Sequence, residues 1–229
     1  MTVSETLSVQ AVKHYATEQI LARSQEASQL ANQMMARIAE QLKPGMKESV
    51  ARRTAMHVFE AAGVTTLWHR PYIYFGKNTV LTFRDKPQTD ETLQESDIIT
   101  IDIGPVPLEV DGLQFEGDVG CTLVLGDNPL YIDLKNQCER INTLSRAFWK
   151  EQRPTGIALY NYIHQLAKEA GYVFQLEPAG HLIGTFPHTG WKAGLNTYPE
   201  PVEPGIWILE IQIRHPELSY GAFCEDLLI

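Results

Sequence analysis

The amino-acid sequence predicts a mixed α/β (α+β) fold built from two related halves. Segments with helical periodicity and β-rich segments follow the order helix, helix, strands, helix, helix, strands. The chain has 229 residues, of which 44% are hydrophobic and 21% charged, which is typical of a globular protein that buries its core without disulfides. We therefore expect one domain over residues 1–229 with a coarse internal duplication.

The first half begins with two predicted helices, at about 9–41 and 46–62, each followed by a glycine-containing turn. Between 65 and 83 the pattern changes to aromatic and β-branched residues with a turn at Gly76-Lys77-Asn78, which predicts strands. Two further predicted strands, 97–104 and 118–125, enclose a hairpin at 105–117. These elements make up a helix pair followed by a sheet.

The second half repeats this order. Helices are predicted at about 131–150 and 156–171, the latter after a Pro-Thr-Gly start signal. The remaining residues read as strands and loops, with a turn at 201–205 before the apolar run 206–209. No repeat is detectable residue by residue, so the duplication rests on the order of the elements alone.

Charge and cysteine content limit the function classes. The formal net charge is −9 and no run of basic residues occurs, which argues against binding to nucleic acid or to an anionic membrane. Three scattered cysteines argue against a disulfide framework, and no signal peptide or membrane-spanning segment is recognisable. We expect a soluble, cytoplasmic protein whose oligomeric state is open, with a homodimer as one option.

Acidic residues inside apolar strands are the first indication of chemistry. Asp102 stands between two isoleucines and Glu210 between Leu209 and Ile211. Burying an ionised carboxylate costs several kcal/mol unless a cation or hydrogen-bond donors compensate it. For any single residue, an arginine or backbone donors are the simpler explanation. However, four such acids occur in or at the edge of apolar strands: Asp102, Asp118, Glu210 and Glu225. Arg214 is the only arginine close to any of them in sequence.

His181 completes a predicted metal site. It follows a glycine-rich turn that allows close approach of a ligand. Carboxylate oxygens with a single imidazole suit hard or borderline cations such as Mn²⁺, Co²⁺, Zn²⁺ or Fe²⁺. Two cations about 3.5–4 Å apart would share bridging carboxylates and activate water for hydrolysis. The residues thus predict a metal-dependent hydrolase.

The order Asp, Asp, His, Glu, Glu resembles that of the pita-bread metallopeptidases, the group of methionine aminopeptidases, Xaa-Pro aminopeptidases, prolidases and creatinases. The matching stretches are IDIG at Asp102, GD at Asp118, GHLIG at His181, EPGIWILEIQI at Glu210 and CED at Glu225. The resemblance implies two pseudo-symmetric αβ halves around a curved antiparallel sheet. It spans almost the whole chain, and five residues in order make it specific.

The resemblance also implies individual roles. Asp102 would bind one metal ion, Asp118 and Glu225 would bridge two, and His181 and Glu210 would bind the other. Glu210 would also carry the proton of the attacking water. His188, seven residues after His181, would contact substrate and stabilise developing charge. Mn²⁺ is the first choice for both ions, with Co²⁺, Zn²⁺ or Fe²⁺ as alternatives.

The spacing of the motif residues and the departures from the family pattern bear on the predicted substrate. Glu210 and Glu225 are 15 residues apart, a short interval like that of the prolidase and Xaa-Pro aminopeptidase branch. Phe223 stands where that branch often has an arginine, and the histidine expected near Phe83 is missing. His69 lies upstream: it either enters the site and supports the tetrahedral intermediate, or is an ordinary histidine at a strand edge.

Three functions follow from this reading. The first is hydrolysis of a peptide or related C–N amide bond in a small substrate, most like an Xaa-Pro aminopeptidase or prolidase. The second keeps the metal ions but acts on a non-peptide small amide, which the missing arginine and histidine favour. The third is a binding protein that keeps the fold without catalysis; it ranks last because all five ligand positions are filled.

Overall fold

The computed structural model describes residues 18–187 and 194–229. The helices of this part are α1 (Glu18–Ala39), α2 (Glu48–Ala61), α3 (Pro129–Gln152) and α4 (Gly156–Glu169). The strands are β1 (Leu67–Phe75), β2 (Asp97–Pro105), β3 (Leu108–Val110), β4 (Leu113–Phe115), β5 (Val119–Leu125), β6 (Val173–Phe174), β7 (Thr185–Phe186), β8 (Ile208–Arg214) and β9 (Gly221–Leu227). None of the described helices is long and apolar enough to cross a membrane.

One six-stranded antiparallel sheet organises the molecule, in the order β1-β2-β5-β9-β8-β6. Elements α1, α2, β1, β2 and β5 form its first half, and α3, α4, β6, β8 and β9 form its second. The halves meet where β5 pairs with β9, with Gly120 opposite Glu225. The order of elements confirms the predicted duplication and the α/β fold class with an antiparallel sheet.

Each half has its own apolar core on the helix-covered face of the sheet. Ile38 and Phe59 from the first helix pair contact the cluster that contains Ile101. The corresponding cluster of the second half contains Ile163 and Ile211. Because side chains alternate across a strand, the residues next to these isoleucines point to the opposite face. The acidic residues of β2 and β8 therefore lie on the face that the helices leave open.

The structure also differs from the predicted elements in one place. The predicted strand segment 65–83 contains only β1, followed by a 3-10 helix at Gly76–Val80 and by non-strand residues up to Asp97. Asn78 holds this turn, since its side-chain amide donates to the carboxylate of Glu48 at 3.1 Å and to the carbonyl of Thr89 at 3.0 Å. These long-range partners could not be identified from local periodicity.

Two other expectations have a partial outcome. The predicted hairpin at 105–117 is confirmed as β3 and β4, which pair with β7 in a second, three-stranded sheet. The first predicted helix is present from Glu18, and its earlier part lies outside the described residues. The expectation that residues 1–229 form a single domain stays a prediction.

Candidate metal centre

Acidic and imidazole side chains line one cavity on the open face of the main sheet. The cavity has a volume of about 570 Å³, and its lining includes His69, Asp102, Asp118, His181, Glu210 and Glu225. Asp118 is 1% exposed, Glu225 4% and Glu210 7%, so this charge is largely removed from water. A volume in this range accommodates a small-molecule ligand.

The register of the sheet brings the acids together. Glu210 in β8 lies directly opposite Glu225 in β9, and Gly120 of β5 pairs with both Glu225 and Asp102. Like charges directly opposite each other on neighbouring antiparallel strands are destabilising. The arrangement therefore requires protons or a cation to offset the repulsion.

Asp118 lies at the centre of the cluster, immediately before β5. Its Oδ1 atom is 3.0 Å from Nε2 of His69, and its Oδ2 atom is 3.2 Å from Nε2 of His181. Nε2 of His69 is also 3.3 Å from Oδ1 of Asp102, and Nε2 of His181 is 3.6 Å from Oε1 of Glu225. Each oxygen of one carboxylate thus faces a different imidazole.

The two histidines have the same orientation. Nδ1 of His69 is 2.8 Å from the carbonyl oxygen of Arg70, and Nδ1 of His181 is 2.9 Å from that of Leu182. Because a carbonyl oxygen only accepts, Nδ1 carries the proton in both rings. In a neutral ring Nε2 then presents a lone pair to the carboxylates, which is the tautomer and orientation of a metal-bound histidine.

The loop that carries His181 is attached to β8. The amide of Ile208 donates to the carbonyl of His181 at 2.9 Å, and the amide of Glu210 donates to that of Ala179 at 3.1 Å. Gly180 has a φ of 138°, and a Cβ atom there would overlap the carbonyl oxygen of Ile208. The glycine-rich turn noted in the sequence is thus needed for the loop to approach the strand closely.

Burial is the largest single influence on the pKa of each of the four carboxyl groups. It raises the pKa of Asp102 to about 7, with His69 opposing the shift, and it raises the pKa of Glu210 to about 8. Burial and the nearby Asp118 carboxylate raise the pKa of Glu225 well above its usual value. Burial alone would raise the pKa of Asp118 too, but the facing histidines outweigh it and lower that pKa. Protons are thus one way to offset the crowded negative charge.

Burial acts on the pKa values of the two histidines in the opposite sense, because it disfavours the protonated, charged ring. Burial lowers the pKa of His69, but the charges of Asp102 and Asp118 outweigh it and hold that pKa well above the usual value. For His181, hydrogen bonds to Asp118 and Glu225 likewise outweigh burial. The site therefore favours positive charge at both Nε2 positions.

The donor set fits divalent cations. Within residues 18–187 and 194–229, no lysine or arginine forms an ion pair with any of the four acids. Oδ1 of Asp102 is buried without a hydrogen-bond partner in that same part of the chain, because its contact with His69 lacks hydrogen-bond geometry. Arg214, a candidate partner of Glu210 in the sequence, donates instead to the carbonyls of His215 and Pro216.

Among the residues that the structure describes, two overlapping groups of three have ligand atoms close enough to hold an ion. One is His69, Asp102 and Asp118, and the other is Asp118, His181 and Glu225; within each, the ligand atoms lie within 4.8 Å of one another. Glu210 belongs to neither group but lines the same cavity, and its role as a ligand stays a prediction. His188 lies outside the described residues.

Some cavity residues gave no signal in the sequence. They come from loops and from a short 3-10 helix at Leu195–Thr197, and include Arg84, Glu177, Asn196 and Thr197. A further buried acid, Glu48, was also missed, but it accepts a hydrogen bond from the backbone amide of Phe75 at 2.8 Å and two from Asn78. Glu48 thus shows the simpler way to satisfy a buried carboxylate, which the acids of the cavity lack.

The duplicated α/β fold and the carboxylate–imidazole cluster define the class of pita-bread metallopeptidases. The family model "Metallopeptidase family M24" matches residues 22–229, and the chain belongs to this family. No curated protein gives a significant sequence match. Family membership confirms the resemblance identified from the five motifs.

Solved structures with the same fold include three proline-directed enzymes. The prolidase from Pyrococcus horikoshii has a TM-score of 0.74 at 19% identity, with 92% of this chain and 59% of that chain covered. The Xaa-Pro dipeptidase from Bacillus anthracis has a TM-score of 0.73 at 18% identity, covering 93% and 59%. The X-Pro aminopeptidase from Thermotoga maritima has a TM-score of 0.72 at 15% identity, covering 91% and 57%. This chain thus spans less than two thirds of each.

Proposed function

We propose that the chain is a dinuclear metal-dependent hydrolase that cleaves a peptide or related C–N amide bond in a small substrate. The observation that carries this proposal is the position of Asp118, whose two oxygens each face the Nε2 atom of a different histidine, beside the buried Glu210 and Glu225 and the partly buried Asp102. Membership of metallopeptidase family M24 supports the reaction class.

Asp102, Asp118, His181, Glu210 and Glu225 would hold the two ions, with Asp118 and Glu225 shared. Mn²⁺ is the first ion to test, followed by Co²⁺, Zn²⁺ and Fe²⁺, since oxygen-rich sites with few imidazoles favour harder cations. When bound, the ions would polarise the scissile carbonyl and lower the pKa of the attacking water.

Glu210 is the proposed proton carrier. Its carboxylate lines the cavity, is 7% exposed, and has a pKa raised to about 8 by burial. A carboxylate in such surroundings can accept a proton from water and pass it to the leaving amine. His188 is proposed to support the developing charge at the reacting carbonyl.

The cavity favours a small substrate with an apolar side and a carboxylate. Trp68, Tyr72 and Phe83 supply aromatic surface, and Arg84 lines the same cavity with a side chain that is 61% exposed. Arg84 is suited to bind the terminal carboxylate of a dipeptide through its guanidinium group. These features, with the proline-directed enzymes among the structural neighbours, favour an Xaa-Pro substrate.

The experiment is a substrate screen on metal-reconstituted protein. Xaa-Pro dipeptides, Xaa-Pro-Yaa tripeptides and peptides with N-terminal Met would be incubated with protein loaded with each ion, with Asp118→Asn as the inactive reference. Turnover of a proline-containing peptide that requires metal supports the proposal. Metal-loaded protein that cleaves small amides but no peptide would instead support the second function considered from the sequence.

The surroundings of Phe223 favour that second function. Its ring lies against Gly120, where a Cβ atom would overlap it, and fills the position at which the resemblance predicts an arginine.

We also propose that the protein is cytoplasmic and forms a homodimer. Cell fractionation would test the location, and light scattering would test the oligomeric state.

A further inference from the structure

The backbone of β1 is distorted where it carries His69. His69 pairs with Gly104 and Tyr72 pairs with Asp102, so three steps along β1 match two along β2. One extra residue is therefore accommodated at Arg70-Pro71, as in a β-bulge. Bulges redirect neighbouring side chains, and proline is tolerated there because its missing N–H breaks no ladder hydrogen bond. This bulge lies directly beside the metal cluster.

Gly104 makes room for the redirected imidazole. A Cβ atom at Gly104 would lie 2.5 Å from Cδ2 and 2.6 Å from Nε2 of His69, closer than side chains can pack. The ring of His69 therefore crosses the backbone of β2 in contact with it. From there Nε2 reaches both Asp102 and Asp118.

The two halves of the molecule supply equivalent groups in the same chain order. The first contributes His69, Asp102 and Asp118, with intervals of 33 and 16 residues. The second contributes His181, Glu210 and Glu225, with intervals of 29 and 15 residues, and in each half the middle acid lies on the central strand. In this internal symmetry the first histidine corresponds to the second.

The contacts of the two imidazole rings agree with this internal symmetry. Both rings donate through Nδ1 to the carbonyl of the next residue and direct Nε2 at an oxygen of Asp118. Oδ1 of Asp102, 3.3 Å from Nε2 of His69, has no hydrogen-bond partner in the described part of the chain. A neutral ring in this tautomer cannot donate to either acid, whereas a cation between them would satisfy all three groups.

We propose that His69 is a metal ligand, which together with Asp102 and Asp118 holds the first of the two ions. This inference rests on the proposed dinuclear function and assigns His69 a different role from support of the tetrahedral intermediate. Each metal position then has one imidazole. Because imidazole suits Zn²⁺, Co²⁺ and Fe²⁺ better than Mn²⁺, the first position favours those ions.

The test uses Co²⁺-loaded protein comprising residues 1–229 and does not depend on turnover. Paramagnetic proton NMR counts the solvent-exchangeable Nδ1–H signals of cobalt-bound histidines, and competition with a chelator measures the affinity of each ion. The variants are His69→Gln and, as a matched control, His57→Gln, which removes an exposed histidine of α2. Glutamine keeps a polar side chain at this position but removes the imidazole.

The unaltered protein and His57→Gln are expected to bind two ions and to show two exchangeable histidine signals. His69→Gln is expected to show one signal and to bind one ion more than about 100-fold more weakly, beyond the roughly 10- to 100-fold loss typical of an outer hydrogen-bond partner. Two ions with a single histidine signal in the unaltered protein, or native affinity in His69→Gln, would overturn this inference alone. Unaltered protein that takes up no metal would overturn the proposed function as well.

Discussion

The Nε2 atom of His69 lies 3.0 Å from Oδ1 of Asp118, although 49 residues separate them in the chain. The other oxygen of Asp118 lies 3.2 Å from Nε2 of His181, which comes from the second half of the fold. One carboxylate therefore connects the two halves at the point where β5 meets β9. If cations occupy this cluster, Asp118 is one of the two ligands, with Glu225, that both would share.

Substitution of Asp118 should consequently affect both ions. We expect Asp118→Asn to reduce metal content from two ions to one or none and to lower peptidase activity on the order of 10³-fold, as loss of a central electrostatic contact does. Metal content measured after dialysis, together with kcat/KM, checks this. Asp127→Asn, which alters an exposed acid, is the control and should keep both ions. Full metal content in Asp118→Asn would contradict the shared-ligand role.

Gly104 provides a second prediction, in which none of the proposed ligand residues is replaced. The added methyl group of Gly104→Ala would collide with His69, so the ring must move or the backbone of β2 must shift. We expect a loss of about 1–3 kcal/mol in the free energy of unfolding, typical of overpacking, and weaker binding of one ion. Urea unfolding and a chelator titration measure the two effects.

A double-mutant cycle identifies the cause of the Gly104→Ala effect. If the collision with His69 is responsible, Gly104→Ala should have little additional effect on metal affinity in a His69→Ala background. Equal effects in both backgrounds would mean that the methyl group acts through the strand and not through the imidazole.

Particular residues show how much of this site could be predicted from the sequence. Asp102 and Glu210 were recognisable because a carboxylate between apolar strand residues is costly, and this signal is local. The order of helices and strands also gave the duplication. The position of His69 was not predictable, because it depends on a bulge and on the cross-strand register of Gly104. Neither can be read from spacing along one chain.

Glu48 shows that a buried acid alone does not identify a metal site. It is 0% exposed, yet its carboxylate accepts hydrogen bonds from Phe75 and Asn78, and Glu48 is not among the residues that line the cavity. In Glu48→Gln one donor of the new amide would face the donors of Asn78. We expect a loss of about 1–3 kcal/mol in the free energy of unfolding, the cost of an unsatisfied buried polar group, with metal content unchanged. Thermal unfolding and metal analysis test this, and loss of metal would contradict a purely structural role.

Arg84 tests the substrate proposal. Its Nη1 atom is 3.3 Å from Oε2 of Glu177, but both side chains are largely exposed, and such pairs contribute little to stability. We expect Arg84→Ala to raise KM for a dipeptide about tenfold while kcat changes little, because a contact to a non-reacting carboxylate is lost. Lys86→Ala, at an exposed position nearby, is the control. An equal rise in KM for a peptide amide would show that Arg84 does not bind the carboxylate.

The raised pKa values predict how the metal-free protein responds to pH. Burial raises the pKa of Asp102 to about 7 and that of Glu210 to about 8, so the folded state binds their protons more tightly than the unfolded state. Their stabilising contribution is complete below the unfolded pKa and is lost as the pH rises through the folded values. The histidines, with pKa values also raised, act in the same direction, whereas the lowered pKa of Asp118 matters only under more acidic conditions.

The free energy of unfolding of chelator-treated protein should therefore fall between pH 5.5 and 8.5, by more than about 1 kcal/mol, since one pKa unit corresponds to about 1.4 kcal/mol. Saturating metal should reduce or reverse the fall, because bound cations replace the protons and bind more tightly as the ligands deprotonate. Urea unfolding followed by tryptophan fluorescence at several pH values measures both curves. Asp102→Asn removes one titrating group, so its metal-free curve should be shallower. A metal-free curve that rises with pH would mean that the acids are already ionised in the folded protein, and the charge of the cavity would then need another source of compensation.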